Sequence, residues 1–193
     1  MRERTPVFIA LAAVLSMFLP AIAAASGDGG KRPGKTNPSA QVAHGKYLAT
    51  VSGCHDCHSP KRFTDKGPVV DENRVLSGHP AEDKVPPVPK DLIAPGKWGG
   101  LFTGMLTAWA GPWGVSFSSN LTPDRETGIG GWTEAAFIKS IRTGRTPGGR
   151  PLLPPMPWQF IGRMTDRDLK AIYAYLKSIP PIRNMVPDPI PPK

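Results

Sequence analysis

The only two cysteines of this 193-residue chain, Cys54 and Cys57, stand two residues apart and are followed directly by His58. A disulfide between them would close too small a loop to staple a fold, and it gives His58 no part. A zinc site needs two more ligands, normally a second pair, and the chain has no other cysteine. A thioredoxin-like dithiol sits at a strand-to-helix junction in a βαβ setting, which neither flank offers. Cys54-His55-Asp56-Cys57-His58 does match C-x-x-C-H, the attachment signature of c-type haem. On one helical turn each thiol can add to a haem vinyl group, and His58 then lies under the iron as its proximal ligand. The run therefore predicts one covalent haem c, held by Cys54 and Cys57 and ligated by His58. A fold built on it must wrap a flat, largely apolar group.

The N-terminus reads as an export signal. Arg2 and Arg4 form a basic start, Val7 to Leu19 are apolar or small apart from Ser16, and Ala21-Ile22-Ala23 and Ala23-Ala24-Ala25 fit signal-peptidase cleavage. An apolar run of about 13 residues is too short for a membrane span, which takes roughly 20. Residues 1–25 are thus expected to be a signal peptide and the protein periplasmic, with 26–38 a flexible Gly-, Lys- and Pro-rich lead-in. Without Arg2, Glu3 and Arg4 the chain keeps 22 basic against 14 acidic residues, a formal +8 where the whole chain carries +9. Such a charge favours acidic partners or an anionic membrane surface. The dispersed Lys and Arg, together with export, argue against nucleic acid.

Three helices are legible. Over Ser39–Val51, Val42, Tyr47, Leu48 and Val51 group along one face, with Ser39 as N-cap and Gly45 open to a close helix approach. Gly53 ends that helix as the haem turn begins. A second helix lies within Trp132–Gly144, capped by Thr133 and terminated by Gly144 in a left-handed conformation. A third spans Thr165–Ser178, with Thr165 and Asp168 at capping-box spacing and a stripe of Leu169, Ile172, Tyr173 and Leu176. Gly45 and either Tyr175 or Tyr173 are expected where the first and third helices cross. The predicted fold class is all-α, three or more helices around one haem with long loops. Residues 39–180 would form the domain, with a loop insertion at 61–115 and a Pro-rich tail at 181–193.

Electron-transfer haem usually takes His with Met or His with His. Met105, Met156, Met164 and Met185 follow the leader, and His44 and His79 are further candidates; His55 reads as an exposed polar residue near the haem edge. Met156 has the most distinctive setting, Leu152-Leu153-Pro154-Pro155-Met156-Pro157-Trp158, where prolines fix φ and hold the chain extended. Such a loop can present a thioether to iron at low entropic cost, and the alternative on local sequence is a packed apolar residue. The other His58 nitrogen should donate to a backbone carbonyl, expected within Pro60–Pro68. No residue from Trp98 to Pro123 is charged, and that segment, rich in Gly and Trp, is expected as a loop over the haem. Trp132 and Trp158 are either core residues or indole donors to a propionate.

Four runs together resemble class I c-type cytochromes, in particular the monohaem domains found with periplasmic dehydrogenases. They are Cys54-His55-Asp56-Cys57-His58, Asn120-Leu121-Thr122-Pro123-Asp124, Thr127-Gly128-Ile129-Gly130-Gly131-Trp132-Thr133 and Pro154-Pro155-Met156-Pro157-Trp158. The resemblance covers residues 44–60 and 116–179, and the stretch between is longer than in compact cytochromes. It implies that Met156 is the distal ligand. It also implies an electron carrier rather than an enzyme, cycling between Fe(II) and Fe(III) as a shuttle or as a subunit of a respiratory or dehydrogenase chain. Its partners would be a periplasmic dehydrogenase and a respiratory oxidase or another cytochrome, with peripheral membrane contact a further expectation from charge. The competing reading is a haem enzyme or sensor whose open or displaceable sixth position binds peroxide or a small gas.

Overall fold

The computed structural model describes residues 38–89 and 96–192. The expected signal peptide and nearly all of the expected lead-in lie outside the described residues. The elements are α1 (Pro38–Val51), α2 (Cys54–His58), β1 (Lys61–Thr64), β2 (Gly67–Val70), β3 (Leu101–Phe102), β4 (Ala108–Gly111), β5 (Gly114–Phe117), α3 (Glu134–Thr143), α4 (Trp158–Ile161) and α5 (Asp166–Ser178). None of the described helices is long and apolar enough to cross a membrane.

The all-α expectation is therefore wrong. Two antiparallel sheets, a β1-β2 hairpin and a three-stranded β3-β4-β5 sheet, occupy the stretch expected to be loop. In β4 and β5, Ala108 faces Phe117 and Ala110 faces Val115, and Pro112-Trp113 turn the chain between Gly111 and Gly114. Ala108, Ala110, Val115 and Ser116 are buried. Alternating burial along Ala108–Gly111 and a Pro-containing turn are strand chemistry. β1 and β2 pair from Lys61↔Val70 to Thr64↔Gly67 around a two-residue turn at Asp65-Lys66.

The helices follow their local signals. Thr133 accepts from the Ala136 N–H and Gly144 closes α3 at φ 67°. Thr165 accepts from the Asp168 N–H to start α5. Gly53, at φ 70°, separates α1 from α2. Ser39 does not cap α1 but lies within it.

α1 and α5 pack against each other through Gly45. A Cβ there would collide with the Ala171 carbonyl and come within 2.9 Å of the Tyr175 Cβ, so the crossing admits only hydrogen. Tyr175 rather than Tyr173 marks the crossing; Tyr173 stacks on Phe137 instead and donates to the Trp132 carbonyl at 2.7 Å. The apolar face expected for α1 needs correction, because Tyr47 and Val51 are exposed. The buried stripe is Gly45 and Ala49, flanked by half-buried Val42 and Leu48. One partner helix covers only one narrow face, and Tyr47 and Val51 lie off it.

Leu169, Ile172, Tyr175 and Leu176 from α5, Phe137 and Ile141 from α3, and Ala49, Leu76 and Ile129 make the core. Asn120-Leu121-Thr122-Pro123-Asp124 is scaffold. The Asn120 amide donates to the Ile182 carbonyl and the Thr127 hydroxyl, while its oxygen accepts from the Thr122 N–H and hydroxyl. The Pro-rich segment after α5 is stitched down too. The buried Asn184 side chain donates to the Ser77 and His79 carbonyls and accepts from the Ala81 N–H.

Candidate functional site

A cavity of about 360 Å³ opens beside α2. Cys54, Cys57, His58 and Met156 all lie on its lining, so the structure brings the four predicted residues to one space. Core side chains of α3 and α5, including Phe137, Ile141, Leu169 and Ile172, form its walls, which are therefore mainly apolar. Helices that would need a partner to bury these faces here leave them around a void. This suits a large flat apolar group, and the two thiols, the imidazole and the thioether on its lining suit attachment and ligation of haem.

His58 is oriented from far along the chain. Its Nδ1 lies 2.8 Å from the Ser119 carbonyl oxygen. A carbonyl only accepts, so Nδ1 carries the proton and Nε2 keeps its lone pair for a metal. Burial lowers the His58 pKa, and the Ser119 carbonyl works against that to a lesser degree. The acceptor expected within 60–68 is thus replaced by one 61 residues away.

The segment Leu76–Pro80 holds both halves of this arrangement. The Gly78 N–H donates to the His58 carbonyl at 2.8 Å and the His79 N–H to the Ser118 carbonyl at 2.9 Å. Gly78 has φ +80°, and a Cβ on it would meet the Ser118 oxygen at 2.5 Å and the Ser119 carbonyl carbon at 2.7 Å. Only glycine lets these backbones meet. The Leu76 N–H also donates to the Ser59 hydroxyl at 2.9 Å.

Burial pushes the Cys54 thiol up to about 11, with Cys57 adding to it, and raises Cys57 as well. Burial thus disfavours the thiolate form of both. Both are free cysteines in the structure.

The Met156 loop turns rather than running extended: the Met156 N–H donates to the Leu153 carbonyl at 3.2 Å, and Pro154–Pro155 is cis. It is held from the three-stranded sheet, where the buried Ser116 hydroxyl donates to the Pro154 carbonyl at 2.5 Å. The uncharged segment does border the cavity, through Trp109 and Ser116–Ser119, as strand and its continuation.

The other candidate ligands do not border this cavity. His44 Nε2 donates to Asp168 at 2.9 Å, tying α1 to the start of α5. His79 is buried with both nitrogens engaged, Nδ1 with the Thr107 hydroxyl at 2.9 Å and Nε2 with the Asp83 carbonyl at 3.3 Å. His55 is half-buried rather than exposed, 3.5 Å from the Tyr175 hydroxyl. Met185 is exposed and Met164 packs against the core. The Trp158 ring fills the space beside Gly144, and Trp132 also packs on the core.

No protein-family model matches the chain. Over 135 residues it is 41% identical to the fructose dehydrogenase cytochrome subunit of Gluconobacter japonicus, covering 70% of this chain and 20% of that one. The gluconate 2-dehydrogenase cytochrome c subunit of Pantoea cypripedii is 32% identical over 136 residues, 70% of this chain and 22% of that subunit. A diheme cytochrome c-type protein of Cereibacter sphaeroides is 25% identical over 177 residues, 89% and 48% of the two chains. The chain spans about a fifth of the two dehydrogenase subunits and half of the diheme protein. The chain is a relative of cytochrome c subunits of dehydrogenases, and that relationship implies a covalently bound haem c.

Proposed function

We propose that this chain is a periplasmic electron carrier with one covalent haem c. In this reading Cys54 and Cys57 attach the haem, His58 and Met156 ligate its iron, and electrons pass from a dehydrogenase to a respiratory oxidase or another cytochrome. The observation that carries the reading is the meeting of two thiols, one tautomer-fixed imidazole and one thioether on the lining of a single apolar cavity. A single C-x-x-C-H run among two cysteines supports one haem rather than two.

Bound there, the haem supplies one-electron chemistry at iron between Fe(II) and Fe(III). The chain's own residues do the rest. Ser119 holds His58 in one tautomer and one ring orientation. Ser116 holds the loop that offers the Met156 thioether, a soft ligand that favours the reduced metal and raises the potential. Apolar walls from α3 and α5 limit water at the iron, which also favours the less charged reduced state. In this reading substrate turnover belongs to the partner, in keeping with the relatives being cytochrome subunits of dehydrogenases.

The test is the protein exported from a host with haem-attachment machinery, analysed by intact mass and by the absorption of its haem in alkaline pyridine. One haem per chain, bound through two thioethers, is the expected result. Cys54→Ala with Cys57→Ala should yield haem-free chain; covalent haem surviving that double substitution would refute the attachment site.

A further inference from the structure

Lys61 has no part in the haem site as described so far. Its side chain nonetheless returns over the end of the attachment helix. The ammonium Nζ lies 2.6 Å from the Asp56 carbonyl oxygen, 2.6 Å from the Ser59 carbonyl oxygen and 3.4 Å from the His55 carbonyl oxygen. An ammonium has three protons to donate, and here three carbonyls of one turn receive them.

Those carbonyls need a donor. The last carbonyls of any α-helix lack partners within it, and α2 has only five residues. The Ser59 N–H takes the His55 carbonyl at 3.1 Å and the Gly78 N–H takes that of His58 at 2.8 Å. The Asp56 and Ser59 carbonyls are left to Lys61. The β1-β2 hairpin puts it there: β1 begins at Lys61, pairs with Val70, and is closed by the Asp71 N–H donating to the Pro60 carbonyl at 2.9 Å. Burial lowers the Lys61 pKa and the nearby Asp56 carboxylate opposes that.

We propose that Lys61 is a positioning residue for the haem-attachment turn, whose ammonium caps the Cys54–His58 helix and biases the iron couple toward the reduced state. The inference rests on the proposed haem site. A cation bonded to the carbonyls on either side of Cys57 and His58 adds positive potential where the oxidised centre carries one more positive charge than the reduced one. The same ammonium fixes the turn that carries both thiols, so its charge and its geometry act at one place. This also gives the hairpin after the haem motif a role.

The experiment measures the reduction potential of the haem-loaded full chain for wild type, Lys61→Gln and Lys61→Arg. Lys61→Gln should shift the equilibrium toward the oxidised form by between about threefold and tenfold, the upper figure being about 59 mV for one electron. Lys61→Arg, which keeps the charge and can donate to the same carbonyls, should stay near wild type. A haem-loaded Lys61→Gln with the wild-type potential overturns the proposal, as does an arginine variant shifted as far as the glutamine one. If Lys61→Gln takes up no haem, the arginine variant decides: wild-type loading and potential support the cap, and an equal loss overturns it. Wild type without covalent haem would instead refute the haem site itself, a distinct outcome.

Discussion

The imidazole of His58 and the carbonyl of Ser119 are joined at 2.8 Å although 61 residues separate them. The attachment turn supplies the ring, but a distant strand end decides how the ring stands. Ser119 follows directly from β5 (Gly114–Phe117) through Ser118, and Gly78 wedges between it and the His58 backbone. The orientation of the proposed proximal ligand is therefore a tertiary property, and it can be disturbed without touching the haem motif.

Gly78→Ala should do so. The new Cβ meets the Ser118 oxygen at 2.5 Å in a backbone conformation with φ +80°. Left-handed backbone costs an alanine about 1–2 kcal/mol, and overpacking adds about 1–3 kcal/mol. Denaturant unfolding of the haem-loaded chain should show a loss of at least about 2 kcal/mol together with a changed reduction potential. Wild-type stability and potential would contradict the wedge.

Ser116→Ala removes the donor to the Pro154 carbonyl, the bond that ties the Met156 loop to the sheet. A lost bond of this kind is worth about 1–2 kcal/mol. Imidazole added to the oxidised protein should displace the thioether more readily, with an apparent affinity raised roughly five- to thirtyfold. Unchanged imidazole binding would mean that the sheet does not hold the loop.

A third prediction concerns acid. Asp168 accepts from His44 and from the Thr165 hydroxyl, and these two bonds hold its carboxyl below the usual carboxylate range. A group depressed on folding contributes stability above its unfolded value, near 3.9, and loses it as pH falls toward the folded one. Melting temperature should decline across that acid window more steeply in wild type than in Asp168→Asn. Parallel pH profiles would remove the contribution assigned to this contact between α1 and α5.

What could be read from the chain was what is local. Thr133, Gly144 and Thr165 carry their capping roles in their own side chains or backbone freedom, and Gly45 announced a close approach. The haem run is local in the same way, whereas Met156 was singled out by the family resemblance, and the structure places all four on one cavity. Ser119 and Gly78 were not, because one acts through a backbone carbonyl and the other through a missing Cβ, and neither advertises its distant partner. Nor was Lys61, since nothing beside it in the chain points to the carbonyls its ammonium meets. The strands at Ala108–Phe117 were missed although Gly111-Pro112-Trp113-Gly114 is a turn signal between short alternating runs. Reading that uncharged stretch as cover for the haem hid its period of two.

The central claim is that His58 and Met156 would ligate the iron of one haem attached at Cys54 and Cys57. The weak thioether-to-iron charge-transfer band of the oxidised protein tests it most directly, because it arises only from a methionine on ferric haem. The band should be present in wild type, vanish in Met156→Ala, and persist when Met105, Met164 or Met185 is replaced. Its absence from haem-loaded wild type, or its survival in Met156→Ala, would contradict the assignment.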